Sequence, residues 1–315
     1  MSLASDIVKN VQGFSKAMYS TWFYYRPSRL LFDVGEGVST TLSNHVFGVE
    51  KIFISHGHYD HVGGLPGFIL SRRNARGDTE KGLEIYYPAG NDLIETIKVY
   101  ITGLCRTVPF DIHWRPIDES FRPITLSSGS GDHFIRPFRT RHTGQRLSLG
   151  YRIVERRKRL RGEFRNLDQK EIVRLIRAEG KEAIMESYEK NLLVYSGDSM
   201  PIEAAGIEGA ELLMHDATFL NAEDRNEPIH ATVREAIESA TAAGVKSLIL
   251  FHISHRYDPR SINRKVRHLC VEYDPEFPVY CIFPNRPYLI QSLAPREHEN
   301  RGRGKPTGGV GDGRR

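Results

Sequence analysis

Cysteine is nearly absent: the 315 residues include three, Cys105, Cys270 and Cys281, and no Cys-x-x-Cys pair. An odd, sparse count excludes a disulfide scaffold and a thiolate-held zinc, so any metal must be bound by imidazoles and carboxylates. Long apolar runs are also lacking. No stretch approaches the roughly 18–20 residues of a membrane span, so no membrane partner is expected. The opening "MSLASDIVKNVQGFSKAMYS" has no apolar signal segment, and the expected location is the cytoplasm. Internal repeats are missing too. What remains is ordinary globular material, 39% hydrophobic and 10% aromatic, which is enough for a core. The net charge is +5, of which residues 296–315 supply six Lys/Arg against three acids. That balance alone does not indicate nucleic acid.

Short β-like runs alternate with helical ones. "RLLFD" (29–33), "KIFIS" (51–55), "LEIYYPA" (83–89), "DIHWRPI" (111–117), "HFIRPFRT" (133–140), "LSLGYRIV" (147–154), "LLVYS" (192–196), "ELLMH" (211–215), "SLILFH" (247–252) and "PVYCIF" (278–283) read as strands. Residues 92–105, 231–244 and 259–273 carry apolar groups at three- and four-residue spacing and read as helices. Strands cluster in the first half and alternate with helices in the second. This predicts an α/β fold of two packed sheets with helices outside, a four-layer αββα sandwich. A single domain over 1–290 is expected, followed by a disordered basic Gly/Arg-rich tail over 291–315.

The segment "ISHGHYDHVGG" concentrates His56, His58, Asp60 and His61 within six positions, directly after an apolar run. Imidazoles are poor core material unless both nitrogens find partners. Two apart in an extended segment, His56 and His58 face the same side and can share one ion. Asp60 and His61 lie further along the turn, within reach of a second. His142 and His252 end other β-like runs and are available as distant ligands, while the carboxylate of Asp198, after "LLVYSG", can bridge the pair. Nitrogen and oxygen donors suit Zn²⁺ best, with Mn²⁺ or Fe as alternatives.

"SHGHYDHVGGLP" resembles the His-x-His-x-Asp-His signature of the metallo-β-lactamase superfamily. "RLLFDVGEG", "RHTGQRLSLGYRI", "VYSGDS", "HDATF", "IHATVREA" and above all "LFHISHRY" resemble, in order and approximate spacing, the ribonuclease Z (tRNA 3′-processing endonuclease) branch. The pattern is most similar to the short plant-type enzymes. Three departures stand out: "SKAMYSTWFYYRPSRL" replaces the usual opening strand, Asp216 a commoner Glu, and Ala231 a commoner Ser. The resemblance implies that His56, His58 and His142 hold one zinc and that Asp60, His61 and His252 hold another, bridged by Asp198. It further implies a metal-bridged hydroxide as nucleophile, Asp60 as its proton acceptor, and His230, oriented by Asp216, as proton donor to the leaving oxygen. A homodimer is also implied. His215 reads as a packing or supporting residue, and His45, His113, His133, His255, His268 and His298 as incidental.

Residues 155–190 form a basic insert where family arms emerge. Arg156, Arg157, Lys158, Arg159, Arg161 and Arg165 are a candidate exosite for the RNA backbone, or else a solvated hairpin tip. Arg256, in "HISHRY", is a further candidate substrate contact, and Arg72 and Arg73 are weighed as contacts near the scissile phosphate. The expected function is zinc-dependent removal of 3′ trailers from tRNA precursors. The alternatives are hydrolysis of small or cyclic phosphodiesters, hydrolysis of a thioester or lactone on the same fold, and a nucleic-acid-binding module without catalysis.

Overall fold

The computed structural model describes residues 2–73, 81–106, 108–126, 132–142, 144, 146–284 and 290–292. Its strands assemble into two sheets. The first contains β1 (Val11–Lys16), β2 (Ser20–Tyr25), β3 (Leu30–Phe32), β4 (Lys51–Phe53), β5 (Leu83–Pro88) and β6 (Ile112–Ile117), in that spatial order. The second runs β7 (Ile124–Thr125), β8 (His133–Thr140), β9 (Ser148–Leu160), β10 (Met185–Tyr195), β11 (Leu212–Asp216), β12 (Leu248–Phe251), β13 (Val279–Ile282) and β14 (Ile290–Ser292), again neighbour to neighbour. The two residues after position 290 thus pair with β13. The rest of the expected tail, 293–315, lies outside the described residues.

Between the sheets, Phe23, Phe32, Phe53, Tyr151, Tyr195 and Phe251 form an aromatic core. The outer face of the first sheet is covered by α2 (Val38–Leu42), α4 (Leu65–Arg73) and α5 (Asp92–Leu104), and that of the second by α8 (Val233–Ala242) and α9 (Pro259–Tyr273). These are the expected αββα layers. Helix α1 (Leu3–Lys9) puts Ile7 and Val8 into the inter-sheet core, while the single turn α3 (Tyr59–Val62) carries half of the His-rich motif. Because both faces of most strands are covered, β2 and β12 are buried at every position, which explains their continuous rather than alternating apolar runs. Helix α8 begins with a capping box, Thr232 with Glu235, and ends before Gly244.

Two sequence expectations are corrected. The opening strand is present: residues 11–25 form an antiparallel hairpin that continues the first sheet. Gln12, Gly13 and Ser15 break its apolar pattern and disguise it. Strand β9 does not stop at 154 but runs to Leu160, paired with "MESYEK" at the start of β10. This ribbon is charged on both faces, so it lacks the apolar alternation by which strands are recognised. Past its end lie α6 (Gln169–Glu179) and α7 (Lys181–Ile184).

Strands β3 to β6 are mutually parallel, as are β10 to β13. Their carboxyl ends form an edge of the kind where α/β sheets display ligand-binding groups. The residues just past β3, β4, β8, β10, β11 and β12 are Asp33, His56, His142, Asp198, Ala217 and His252.

Candidate metal centre

Three imidazoles, His56, His58 and His142, bring one ring nitrogen each within 4.8 Å of one another, and so do Asp60, His61, Asp198 and His252. His56 Nε2 lies 3.0 Å from His58 Nδ1, and His142 Nε2 3.2 Å from the same atom. Asp198 Oδ2 sits between the groups, 3.7 Å from His56 Nε2 and 3.2 Å from both His61 Nε2 and His252 Nε2. All seven side chains proposed as ligands therefore meet at one place.

Four of the five imidazoles are oriented from behind. His61 Nδ1 donates to Asp33 Oδ2 at 2.7 Å and His142 Nδ1 to the Ile229 carbonyl at 2.8 Å. His56 Nδ1 donates to Ser55 Oγ, whose hydroxyl donates on to Asp33 Oδ2. His252 Nδ1 donates likewise to Thr218 Oγ1, whose hydroxyl donates on to Asp216 Oδ1. Two carboxylates thus fix the tautomers of His56, His61 and His252, and the Ile229 carbonyl that of His142, so that Nε2 faces inward, whereas His58 turns Nδ1 to the cluster. Asp33 and His252 have positive φ, +55° and +61°, a conformation that costs free energy and is held here by surrounding contacts.

The electrostatics divide the cluster. Burial holds His56, His58 and His142 below the ordinary imidazole range, His142 at about 4, so these three are neutral, the form that binds metal. Burial opposes charge on His61 also, but Asp198, Asp33 and Asp60 overcome it and raise its pKa well above normal. Asp60, despite burial, is drawn down to about 2 by His61 and His252. Two atoms are left over: His61 Nε2 and Asp198 Oδ1 are buried without a hydrogen-bond partner among the described residues. A buried group of three carboxylates around His61, with orphaned inward-facing donor atoms, fits a divalent cation.

Backbone geometry closes the site. A Cβ on Gly64 would come within 2.2 Å of the Gly35 carbonyl, and one on Gly197, at φ +60°, within 2.6 Å of Ser55 Cβ. Only glycine lets these loops approach.

His230 lies beside the cluster, its ring 4.7 Å from that of His142 and 5.0 Å from that of His252. Its Nδ1 donates to Asp216 Oδ2 at 2.7 Å. Burial lowers its pKa but Asp216 outweighs it, leaving the imidazole protonated up to about 9. Asp216 also receives Ser199 N and Thr218 N, so one carboxylate fixes His230, His252 and the Asp198 loop together. His215 is buried, donating to the Asp216 carbonyl and accepting from Ile202 N, a packing role as expected.

The basic candidates are not brought to this centre. Arg157, Lys158 and Arg159 pair with Glu155, Glu182 and Glu186, Arg165 also meets Glu186, Arg156 covers the Phe134 ring, and Arg161 reaches the Met185 carbonyl. Arg256 is nearer, over Phe219, whose other neighbour is His230. Arg72 is corrected: it is 4% exposed, bonded to the Val49 and Lys81 carbonyls, and so is not a phosphate contact. Sequence reasoning missed Asp33, Ser55, Thr218 and Arg225, which grips Glu235 and the His230 carbonyl. It also missed Met18, whose N–H donates to Asp60 Oδ2 at 3.0 Å from the β1–β2 turn. For Asp33 a signal existed: an acid ending an apolar strand, "LLFD", must be paired when buried.

Residues 26–141 match the model of the Metallo-beta-lactamase superfamily and residues 183–253 that of the Beta-lactamase superfamily domain. A ribonuclease Z of Thermococcus onnurineus is 34% identical over 269 residues, covering 78% of this chain and 82% of the relative. One of Listeria innocua is 33% identical over 259 residues, covering 72% and 79%. Among solved structures, the short form of human tRNase Z superposes with TM-score 0.57 at 22% identity over 78% of this chain and 93% of its own, and the metallo-beta-lactamase fold protein YhfI of Bacillus subtilis with TM-score 0.60 at 17% identity over 89% and 98%. The fold, the ordered motifs and this identity along most of both chains agree: the chain belongs to the ribonuclease Z family of the metallo-β-lactamase superfamily.

Proposed function

We propose that this metal-dependent hydrolase is an endoribonuclease that removes 3′ trailers from tRNA precursors. The observation that carries the reading is the pairing of a seven-ligand cluster with a protonated His230 beside it. His56, His58 and His142 would hold one divalent ion and Asp60, His61 and His252 a second, with Asp198 between them. Zinc suits these donors best, with manganese or iron as alternatives. When bound, such ions supply Lewis acidity that lowers the pKa of water and neutralises charge developing on phosphoryl oxygens. Asp60 accepts the nucleophile's proton; its Oδ2 is held in place by Met18 N–H. His230 delivers the proton at Nε2 to the leaving ribose oxygen, because Nδ1 is engaged by Asp216.

The ribbon of β9 and β10 supports RNA over a small phosphodiester. Arg156 to Leu160 lie eight to twelve residues along β9 from Ser148 at the site edge, roughly 25–40 Å at strand rise. A grip so far from the reacting atoms is useless to a small diester and useful to a folded polyanion. Residues 155–190 carry eleven Lys/Arg against eight acids, so the ribbon is not a free cationic stripe. Its guanidiniums exchange carboxylate partners for phosphates on binding. Helix α6, which has no buried residue, adds Lys170, Arg174 and Arg177.

The family expectation of a homodimer is supported by the apolar face of α5, where Val99 and Tyr100 are 73% and 59% exposed. No helix among the described residues is long and apolar enough to cross a membrane; location in the cytoplasm remains part of the proposal. Assay of the purified chain on a trailer-bearing pre-tRNA, a bis-aryl phosphodiester and a thioester tests the substrate. Cleavage of the RNA at a single position is expected. Turnover of the aryl diester with the RNA intact establishes the small-phosphodiester reading instead, and turnover of the thioester alone establishes the ester-hydrolase reading.

A further inference from the structure

Behind the metal centre, between the outer face of β8 and β9 and the segment that follows Asp198, lies a cavity of about 470 Å³. That is the size of a small-ligand site, not a one-water void. Arg139, Arg141 and Arg152 line it, against Glu203 as the one carboxylate on its wall. Thr140, also on the wall, is only 6% exposed, yet its Oγ1 has no hydrogen-bond partner among the described residues. The same is true of Arg152 Nε, although Nη1 of that side chain is anchored on the Gly206 carbonyl. Ser148, opposite Thr140 in the β8–β9 register though not itself on the cavity wall, has a second buried, unpartnered hydroxyl. Arg139 reaches Glu119 only at 3.7 Å.

Buried polar atoms left without partners are rare, and two on the wall of one cavity, with a third on the neighbouring strand position, call for an occupant. A guanidinium donates and never accepts, and the hydroxyls are free to donate. Three guanidiniums against one carboxylate leave the lining rich in donors and in positive charge, complementary to an anion bearing several acceptor oxygens. We propose that this cavity binds a phosphate group. Its wall is continuous with the metal centre, since Arg141 adjoins His142 and its carbonyl accepts Met200 N–H at 2.7 Å, two residues after Asp198. A bound phosphate here sits next to the strand carrying the scissile bond. Assigning that phosphate to the RNA backbone rests on the endonuclease reading; binding itself does not.

The test uses the metal-loaded full chain and the exposed pair Arg139→Gln and Arg141→Gln, combined. Inorganic phosphate is titrated calorimetrically into the wild type and the double variant, with thermal unfolding of both recorded. The wild type is expected to bind one phosphate per chain more than the variant at unchanged unfolding temperature. Equal stoichiometry overturns the proposal and leaves water as the occupant. The source is then read from pre-tRNA cleavage. A KM raised about tenfold or more, with a log–log salt slope reduced by roughly 0.7–0.9 per lost contact, identifies a backbone phosphate. An unchanged KM with phosphate binding lost identifies free phosphate. A wild type that binds the extra phosphate but cleaves no pre-tRNA refutes the endonuclease reading while leaving the site standing.

Discussion

Asp33, like Asp216, accepts four hydrogen bonds at the centre, although neither is among the proposed ligands. The Asp33 carboxylate accepts from Ser55 N, Ser55 Oγ, His61 Nδ1 and the Tyr195 hydroxyl, at 2.5–2.8 Å, in a fully buried position. Removing one partner from such a network leaves the other groups unpaired, so Asp33→Ala is expected to cost about 3–5 kcal/mol of stability. Urea denaturation measures that loss, and metal analysis of the purified variant should show less than the wild-type content. His230 makes a different prediction. His230→Ala should lower kcat by about 10²–10⁴ with metal content unchanged, because its side chain bonds Asp216, outside the proposed ligand set. The pKa of His230 is raised, so the protonated donor is present below about 9 and activity falls as pH rises through that value. In Asp216→Asn the raising carboxylate is gone while burial and His61 still oppose charge, so this fall moves to lower pH. A pH–rate profile with the alkaline limb unmoved contradicts the proton-donor role.

The elements divide into those readable from sequence and those hidden. Helices α5, α8 and α9 are announced by caps at Asn91, Thr232 and Asp258 and by apolar spacing, and they match their expected ranges to within two residues. The His-rich motif is readable because its ligands are contiguous. The supporting residues are not, since Thr218 and Ser55 acquire meaning only when the sheets fold a carboxylate behind them. Met18 contributes through its backbone, which no side-chain pattern encodes. The β9–β10 ribbon was hidden for the opposite reason, an excess of charge. Because Arg157, Lys158 and Arg159 are ion-paired at the surface, where such pairs contribute little stability, replacing the three with Gln should leave the unfolding free energy within about 0.5 kcal/mol. The same variant should raise KM for pre-tRNA several-fold and flatten its salt dependence. An unchanged KM removes the ribbon from the RNA interface.

At the scale of the whole molecule, the centre acts as a clamp between layers. His56, His58, Asp60 and His61 come from the first sheet and His142, Asp198 and His252 from the second, so ions held between them tie the two sheets together. Anything that binds the folded form alone stabilises it in proportion to the logarithm of its free concentration over its dissociation constant. Chelation should therefore lower the unfolding temperature as well as abolish activity, and scanning calorimetry with and without chelator reads both sheets losing the same support. The catalytic edge and the ribbon are set roughly 25–40 Å apart on one strand, β9, so recognition and chemistry are coupled by a rigid element. The most direct test of this arrangement is to incubate the intact chain with a pre-tRNA bearing a 3′ trailer and map the products at nucleotide resolution, with and without chelator. One cut at the base of the trailer, lost on chelation and restored by added zinc, is the expected result. Cuts scattered along the RNA, or a cut that persists without metal, contradict it.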